Sequence, residues 1–316
     1  MRPVFSRAQL DRDLERAFAL EYDLLKSYIR LPVAYEREVV ARAHAHGVPV
    51  TSHYLYPAVR TGLDGMEHTG GGNRLGYSRT LSYAAGRTFQ DSVDLLAASG
   101  MWISTTTLFA SELFLDDRSL IEDERTRVLF PEWEYRRLLK KAEDAAGPEG
   151  ELNHAWTVGD VDMLLRVHRA GGLVVAGTDA ALDDIGISIH QNLRVMVRYG
   201  FTPREALTTA TGNAARALGL GDQLGAVAPG FLADLVCVEG DPLRDIGAAA
   251  AVRKVMVGGY LSTVPDLLAP FRKPAAAAAP ARHRNRVLAS APTARRKGKH
   301  YWHAPEWSHH GCCRSR

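Results

Sequence analysis

The chain has 316 residues, 46% apolar and 24% charged, with a formal net charge of +3, which is an ordinary globular balance and enough to bury a sizeable core. Arg and Lys crowd the stretch from Arg272 onward, so the body ahead of it is near neutral or acidic, and charge gives no general case for binding nucleic acid or a membrane surface. Three cysteines, Cys237, Cys312 and Cys313, make no disulfide framework, and no apolar run approaches the roughly 18 residues that would span a bilayer.

The N-terminal MRPVFSRAQLDRDLERAF lacks the apolar centre of a signal peptide, so a cytoplasmic location is the default expectation. Arg7–Leu20 has a helical pattern, and YDLLKSYI, from Tyr22 to Ile29, is a short strand. Val33–His46 carries apolar residues at helical spacing, with Gly47 as its C-terminal cap. Pro49–His53 is a strand, Tyr56–Gly62 a short helix and Gly65–His68 another strand. Thr88–Ser99 is helical and the β-branched Trp102–Leu108 is a strand. Ala110–Trp156 is a long charged insertion, partly helical, expected to cover a site as a lid. A helix over Val158–Ala170 leads into the buried strand Leu173–Gly177, and helices follow over Ile187–Tyr199 and Pro203–Leu218.

Strands separated by helices imply parallel βαβ units buried on both faces. From Leu224 the pattern changes to short strands with Gly and Pro turns, a small β-module over residues 222–264 behind an α/β body over 1–221. Residues 265–316, rich in Ala, Pro and Arg without period, read as a disordered basic tail.

Functional groups of parallel α/β folds gather at the C-terminal ends of strands. Four polar residues stand at such ends: Lys26, His53, His68 and Asp179. Any one strand-end histidine is more often a structural hydrogen-bonding residue than a ligand. Four such residues on successive units suggest more, since imidazole and carboxylate both suit zinc and similar divalent ions. A lysine is cationic and would ligate only as a carbamate.

The stretches DLLKSY, VTSH, GMEHTG and AGTDA, followed by TPREALTTATGNAARALGL and LGAVAPGFLADLVCVEGDP, together resemble the amidohydrolase superfamily, most nearly its imidazolonepropionase-like and Tol-associated members. The resemblance runs from about Arg7 to Ser262, and its late segment is the most specific part. It implies a distorted (β/α)8 TIM-like barrel beside a small β-sandwich. It also implies a fourth-strand carboxylated lysine at Lys26, metal ligands at His53 and His68, and at Asp179 a ligand that takes the proton from the attacking water. The family's first-strand His-x-His is not found. His44-Ala45-His46 is a decoy, because residues two apart on a helix point about 200° away from each other. A pair of cations facing the helix dipole is the expectation there.

The fold expected is therefore an α/β, incomplete (β/α)8 TIM-like barrel of about strands 4–8 plus part of a β-sandwich. The function expected is hydrolysis of a C–N bond in a cyclic amide or peptide-like substrate by metal-activated water, with one zinc-like ion in this chain where the complete family site has two. A truncated chain that is inactive alone, a non-catalytic remnant serving as an assembly partner, and a half-barrel completed by another chain stand as alternatives. An open barrel edge would favour self-association. Tyr77 and Arg79 could hold a substrate carboxylate, and His190 could face the site. The cluster His300, His303, His309, His310, Cys312 and Cys313 fits no zinc spacing.

Overall fold

The computed structural model describes residues 4–28, 31–56, 58–69, 72–73, 88–106, 110–180 and 184–272. The strands, numbered in chain order, are β1 (Leu25–Ser27), β2 (Val50–Ser52), β3 (Tyr54–Tyr56), β4 (Gly65–Glu67), β5 (Gly72–Asn73), β6 (Trp102–Ser104), β7 (Leu173–Val175), β8 (Leu235–Val238), β9 (Val252–Val257) and β10 (Tyr260–Thr263).

Five of them form one parallel sheet in the order β1-β2-β4-β6-β7, so the strands lie in space in the order in which they occur in the chain. Each contributes only three residues to the ladder. Val50, Met66, Ile103 and Val174 are fully buried, and they supply the sheet's share of the main core. The helices supply the rest. Helix Val33–Ala45 buries Val39, Val40 and Ala43, and it stops where Gly47 turns into the left-handed region at φ 69°. Helix Gln90–Ser99 buries Val93 and Leu96, and helix Ser188–Arg198 buries Leu193, Val195 and Met196. No helix among the described residues is long and apolar enough to cross a membrane.

Several boundaries differ from the sequence reading. The helix expected over Tyr56–Gly62 is a single turn, Ala58–Thr61, preceded by β3, which pairs in parallel with β5. The helix expected over Pro203–Leu218 is two, Pro203–Ala210 and Gly212–Ala217. Thr211 breaks it with φ −126° and ψ −94°. The break lets the Gly225 backbone pass so close that a Cβ on Gly225 would sit 2.8 Å from the Gly212 Cα. The insertion has no boundary near Trp156, because one helix runs from Pro148 to Arg169. Its N-terminal half is mostly exposed and polar, which hid its continuity with the buried Val161, Leu164 and Val167. Residues 264–272 also belong to the fold: helix Val264–Leu268 buries Leu268, and Arg272 reaches Glu124 at 2.9 Å. The remainder of the basic tail lies outside the described residues.

Residues 110–144 form short helices around a second apolar cluster, in which Phe114, Leu120, Ile121, Leu138 and Ala142 meet Ile187 and Ala250. Asp184, 2% exposed, binds this layer to the body by accepting from Arg137 Nη2 at 3.1 Å and Lys141 Nζ at 3.0 Å. Asp184→Ala is expected to cost about 1.5–3 kcal/mol, the range for hydrogen bonds to charged groups. It should also speed proteolysis within residues 110–144. An unchanged urea midpoint would show that the apolar cluster holds the layer unaided.

The β-module is the antiparallel sheet β10-β9-β8. Much of it faces solvent, with Val236, Val257, Tyr260 and Leu261 all exposed.

Candidate metal centre

The parallel ladder sets the geometry. His53 directly follows β2 and His68 directly follows β4, and these strands are neighbours, so the two imidazoles meet with ring centroids 4.8 Å apart. Asp179 follows β7 by four residues and brings Oδ2 to 3.6 Å from His68 Nε2. Lys26, exposed on β1, lies with Nζ 5.8 Å from the centre of the Tyr28 ring, and Tyr28 in turn meets His53 edge-on at 4.6 Å. The four strand-end residues chosen from the sequence are thus neighbours in one place.

Backbone conformation aims two of them. His68 (φ 67°) and Asp179 (φ 48°) both adopt the left-handed region, which is uncommon for residues other than Gly. Such conformations cost about 1–3 kcal/mol each and persist where the surrounding structure holds them, commonly at functional sites. The surrounding structure here is the end of β6. Thr106 Oγ1 is 2.8 Å from His68 Nδ1, and Thr105 Oγ1 accepts from the Gly177 N–H at 3.1 Å. Asn192 Nδ2 donates to the Gly177 carbonyl. Threonines from one strand therefore orient groups on both of its neighbours.

The rings are held neutral. Burial, then the Lys26 charge and the neighbouring His68, push the His53 pKa down to about 3. For His68, burial lowers the pKa and Lys26 lowers it further, outweighing the opposite pull of Asp179 and Glu67. His68 Nδ1 is engaged by Thr106, whereas His68 Nε2 and His53 Nδ1 are buried with no hydrogen-bond partner among the described residues. Two neutral imidazoles with open nitrogens beside a carboxylate are good donors for a zinc-like ion. Among the described residues no three His, Cys, Asp or Glu side chains stand close enough to share an ion. The fit therefore rests on the imidazole pair with Asp179 next to it.

The other sequence candidates fall elsewhere. Tyr77, Arg79 and the cluster from His300 to Cys313 lie outside the described residues. His190, a candidate that could face the site, lines a separate cavity whose walls include none of Lys26, His53, His68 and Asp179. The His-x-His pair separates as expected but has specific partners: His44 Nε2 meets Asp64 at 2.8 Å, and His46 stacks on Phe18 at 3.8 Å.

Sequence reasoning passed over Thr106 and Asp160. Asp160, on helix Pro148–Arg169, is paired with Thr69, the residue after His68, and burial raises its pKa to about 6. A threonine at the end of an apolar strand was the available signal for Thr106. Asp160 left none, since nothing local marks its partner.

These shifts set a pH dependence. The unfolded histidines take up protons near pH ~6.5, whereas folded His53 and His190 stay neutral down to about 3 and about 4. The unfolded chain then binds more protons across this window, so stability falls as pH falls below that value. Asp160 opposes this, because its raised pKa favours the folded state as pH drops through about 6. Two imidazoles outweigh one carboxyl, so the Tm of chelator-treated protein is expected to fall between about pH 6.5 and pH 4.5. His53→Asn should flatten that slope; an identical slope would mean that His53 titrates normally in the fold.

A sequence model described as the Amidohydrolase family matches residues 30–261. The chain belongs to the amidohydrolase family. Among curated relatives, this amidohydrolase is 40% identical over 99 residues to an imidazolonepropionase of Deinococcus deserti, covering 30% of this chain and 25% of that protein. It is 48% identical over 73 residues to an adenine deaminase of Nitratidesulfovibrio vulgaris, covering 23% of this chain and 12% of the relative. Among solved structures, a Xaa-Pro dipeptidase with bound methionine in its active site superposes with TM-score 0.56 at 20% identity, over 82% of this chain and 59% of the other. Phenylurea hydrolase B does so with TM-score 0.55 at 19% identity, over 87% and 60%. At such identities these structures share the fold. The amidohydrolase chain spans about three fifths of their length.

Proposed function

We propose that the chain is a metal-dependent hydrolase of C–N bonds, acting on a cyclic amide or peptide-like substrate, with Lys26, His53, His68 and Asp179 as its metal residues and Asp179 as its general base. The observation that carries this is the pair of neutral imidazoles at adjacent strand ends, each with one buried nitrogen that has no hydrogen-bond partner among the described residues, with the Asp179 carboxylate beside them. The names of the relatives agree with it, since imidazolonepropionase, adenine deaminase and Xaa-Pro dipeptidase are matched by sequence or fold.

His53 and His68 would hold the ion through their open nitrogens, with a carboxylated Lys26 completing the set and Asp179 beside it. A divalent ion, when bound, supplies Lewis acidity and acidifies water. The protein's own groups do the rest. Thr106 fixes the His68 ring so that Nε2 is the free nitrogen. The Asp179 carboxylate accepts the proton from the attacking water and returns it to the leaving nitrogen. Tyr77 and Arg79 are proposed to hold a substrate carboxylate. The chain is further proposed to form about strands 4–8 of a (β/α)8 barrel, with β8–β10 as part of a sandwich.

Metal titration tests the centre without a substrate. Equilibrium dialysis against zinc is expected to leave one tightly held ion per chain, and His68→Ala should weaken it by at least about tenfold. Two equivalents, or none, would contradict the donor set.

A second reading concerns assembly. Among the described residues β1 pairs only with β2, so its outer edge is open. Open edges promote strand pairing between chains. Self-association, or completion of the barrel by a separate polypeptide, follows from that edge, and a concentration-independent monomer in light scattering would refute self-association.

A further inference from the structure

Glu67 is the last residue of β4, half-buried and directly ahead of His68. Val50, Met66, Ile103 and Val174 send their side chains into the core shared with the helices. Successive residues of a strand point to opposite faces. Lys26, Thr51, Gly65 and Trp102, aligned with one another across the ladder, therefore stand on the other face. His53 and Glu67, two residues beyond Thr51 and Gly65, belong to that face too. By the same alternation His68 would point to the helix side. Its left-handed backbone at φ 67° turns the ring back, to 4.8 Å from that of His53. Glu67 thus holds the regular position of β4 on the face of the metal centre, and its charge is close enough to pull the His68 pKa upward.

Among the described residues no hydrogen bond or ion pair satisfies the Glu67 carboxylate. It is not a further ligand for an ion held by the histidines, because no three His, Cys, Asp or Glu side chains among the described residues stand close enough to share one. Lys26, the cation on this face, makes no ion pair with it and lies over the Tyr28 ring. The carboxylation proposed for Lys26 would replace even that positive charge by a negative one. Two residues earlier, Gly65 has no side chain and the Trp102 indole fills its place, so β4 itself offers Glu67 no polar neighbour. A half-buried carboxylate without a counter-charge is costly, and a cationic group brought by a ligand removes that cost. In an aminoacyl compound the amine is one carbon away from the carbonyl under attack. That spacing suits a carboxylate one residue away from the ligand His68.

We propose that Glu67 is a specificity residue that receives the protonated α-amine of the substrate, so that the centre selects aminoacyl compounds with a free amino group over neutral amides. The inference rests on the hydrolase reading for its carbonyl chemistry, while the amine contact itself needs neither turnover nor metal. It narrows the substrate to the peptide-like class, cleaved next to its amino-terminal residue.

The test uses the full chain and two probes at pH about 6.5: L-leucinamide, whose amine is then protonated, and the neutral N-acetyl-L-leucinamide. In ligand-observed NMR titrations leucinamide is expected to bind saturably and at least about tenfold more tightly, the effect of a hydrogen bond to a charged group. The preference should hold with and without zinc, and Glu67→Gln should reduce it to about threefold or less. Zinc affinity of the variant should fall by less than the about tenfold that loss of a ligand's support brings. Leucyl anilide and N-acetyl-leucyl anilide, assayed in parallel, report on the hydrolase reading: cleavage of neither ends that reading and leaves the binding preference to decide this one. The proposal is overturned by absent saturation, by equal binding of the two probes to the unmodified chain, or by a preference that appears only with zinc. It is equally overturned by a preference that survives Glu67→Gln, or by a larger loss of zinc affinity in that variant, which would make Glu67 a ligand. Should Glu67→Gln fail to fold, Glu67→Met, uncharged and of similar length, carries the same expectations.

Discussion

Asp179→Asn is expected to lower hydrolytic turnover by about 10²–10⁴-fold, the usual contribution of a positioned acid–base group, with a much smaller change in KM. Asn is the sharpest replacement available, because it keeps the shape of the side chain and tolerates the left-handed backbone that Asp179 adopts at φ 48°. What it loses is the negative charge 3.6 Å from His68 Nε2. That charge raises the His68 pKa against the lowering by burial, so its removal leaves His68 more firmly neutral and no worse as a ligand. Turnover and metal content are therefore expected to separate in the variant. Amine release from a panel of blocked dipeptides and cyclic amides, measured together with zinc content, distinguishes the roles. Lost turnover with zinc retained assigns the base to Asp179; joint loss makes the residue chiefly a ligand. Undiminished turnover removes Asp179 from the mechanism.

Asp179 was the most legible of the candidate residues, because a strand buried on both faces is an unbroken apolar run, and a polar residue beyond its end is conspicuous. LVVAG ahead of Thr178-Asp179 carries that signal, whereas Thr51-Ser52 and Glu67 interrupt the runs ahead of His53 and His68, and parallel pairing converts positions along the chain into neighbours in space. What lay hidden depends on partners far away in the chain. Thr106 acts on a histidine 38 residues earlier, and Asp160 acts through Thr69, so no local period marks either. His190 misled for the opposite reason. It lies eleven residues beyond Asp179, yet Asp184 and Ile187 between them pack against the 110–144 layer, and His190 lines another cavity. The β3–β5 pair was unreadable because strands of three and two residues are too short to show alternation. The break at Thr211 was equally silent, since it answers to the approach of Gly225 rather than to any helix-stopping sequence.

Gly65→Val is expected to destabilise the fold by more than the ~1–3 kcal/mol typical of overpacked cores, and to loosen the metal centre with it. Gly65 opens β4 in the middle of the parallel sheet, paired with Thr51 on one side and Trp102 on the other. A Cβ at this position would lie 2.1–2.4 Å from three atoms of the Trp102 indole. No real carbon sits that close, and Trp102, 5% exposed, has no solvent-filled space into which to retreat. Either the indole leaves its place or β4 and β6 part. Parting them moves both ends of one contact, because β4 runs into His68 and β6 runs into the Thr106 that orients it. Urea denaturation should show the lowered midpoint, and zinc affinity should fall even though no ligand has changed. Trp102→Leu in the Gly65→Val background separates this steric cause from a loss of strand propensity. Removing the ring should restore part of the stability, a coupling of the size seen for residues in contact, about 0.5–3 kcal/mol. Additive effects of the two substitutions would mean that the indole is not what requires a glycine there.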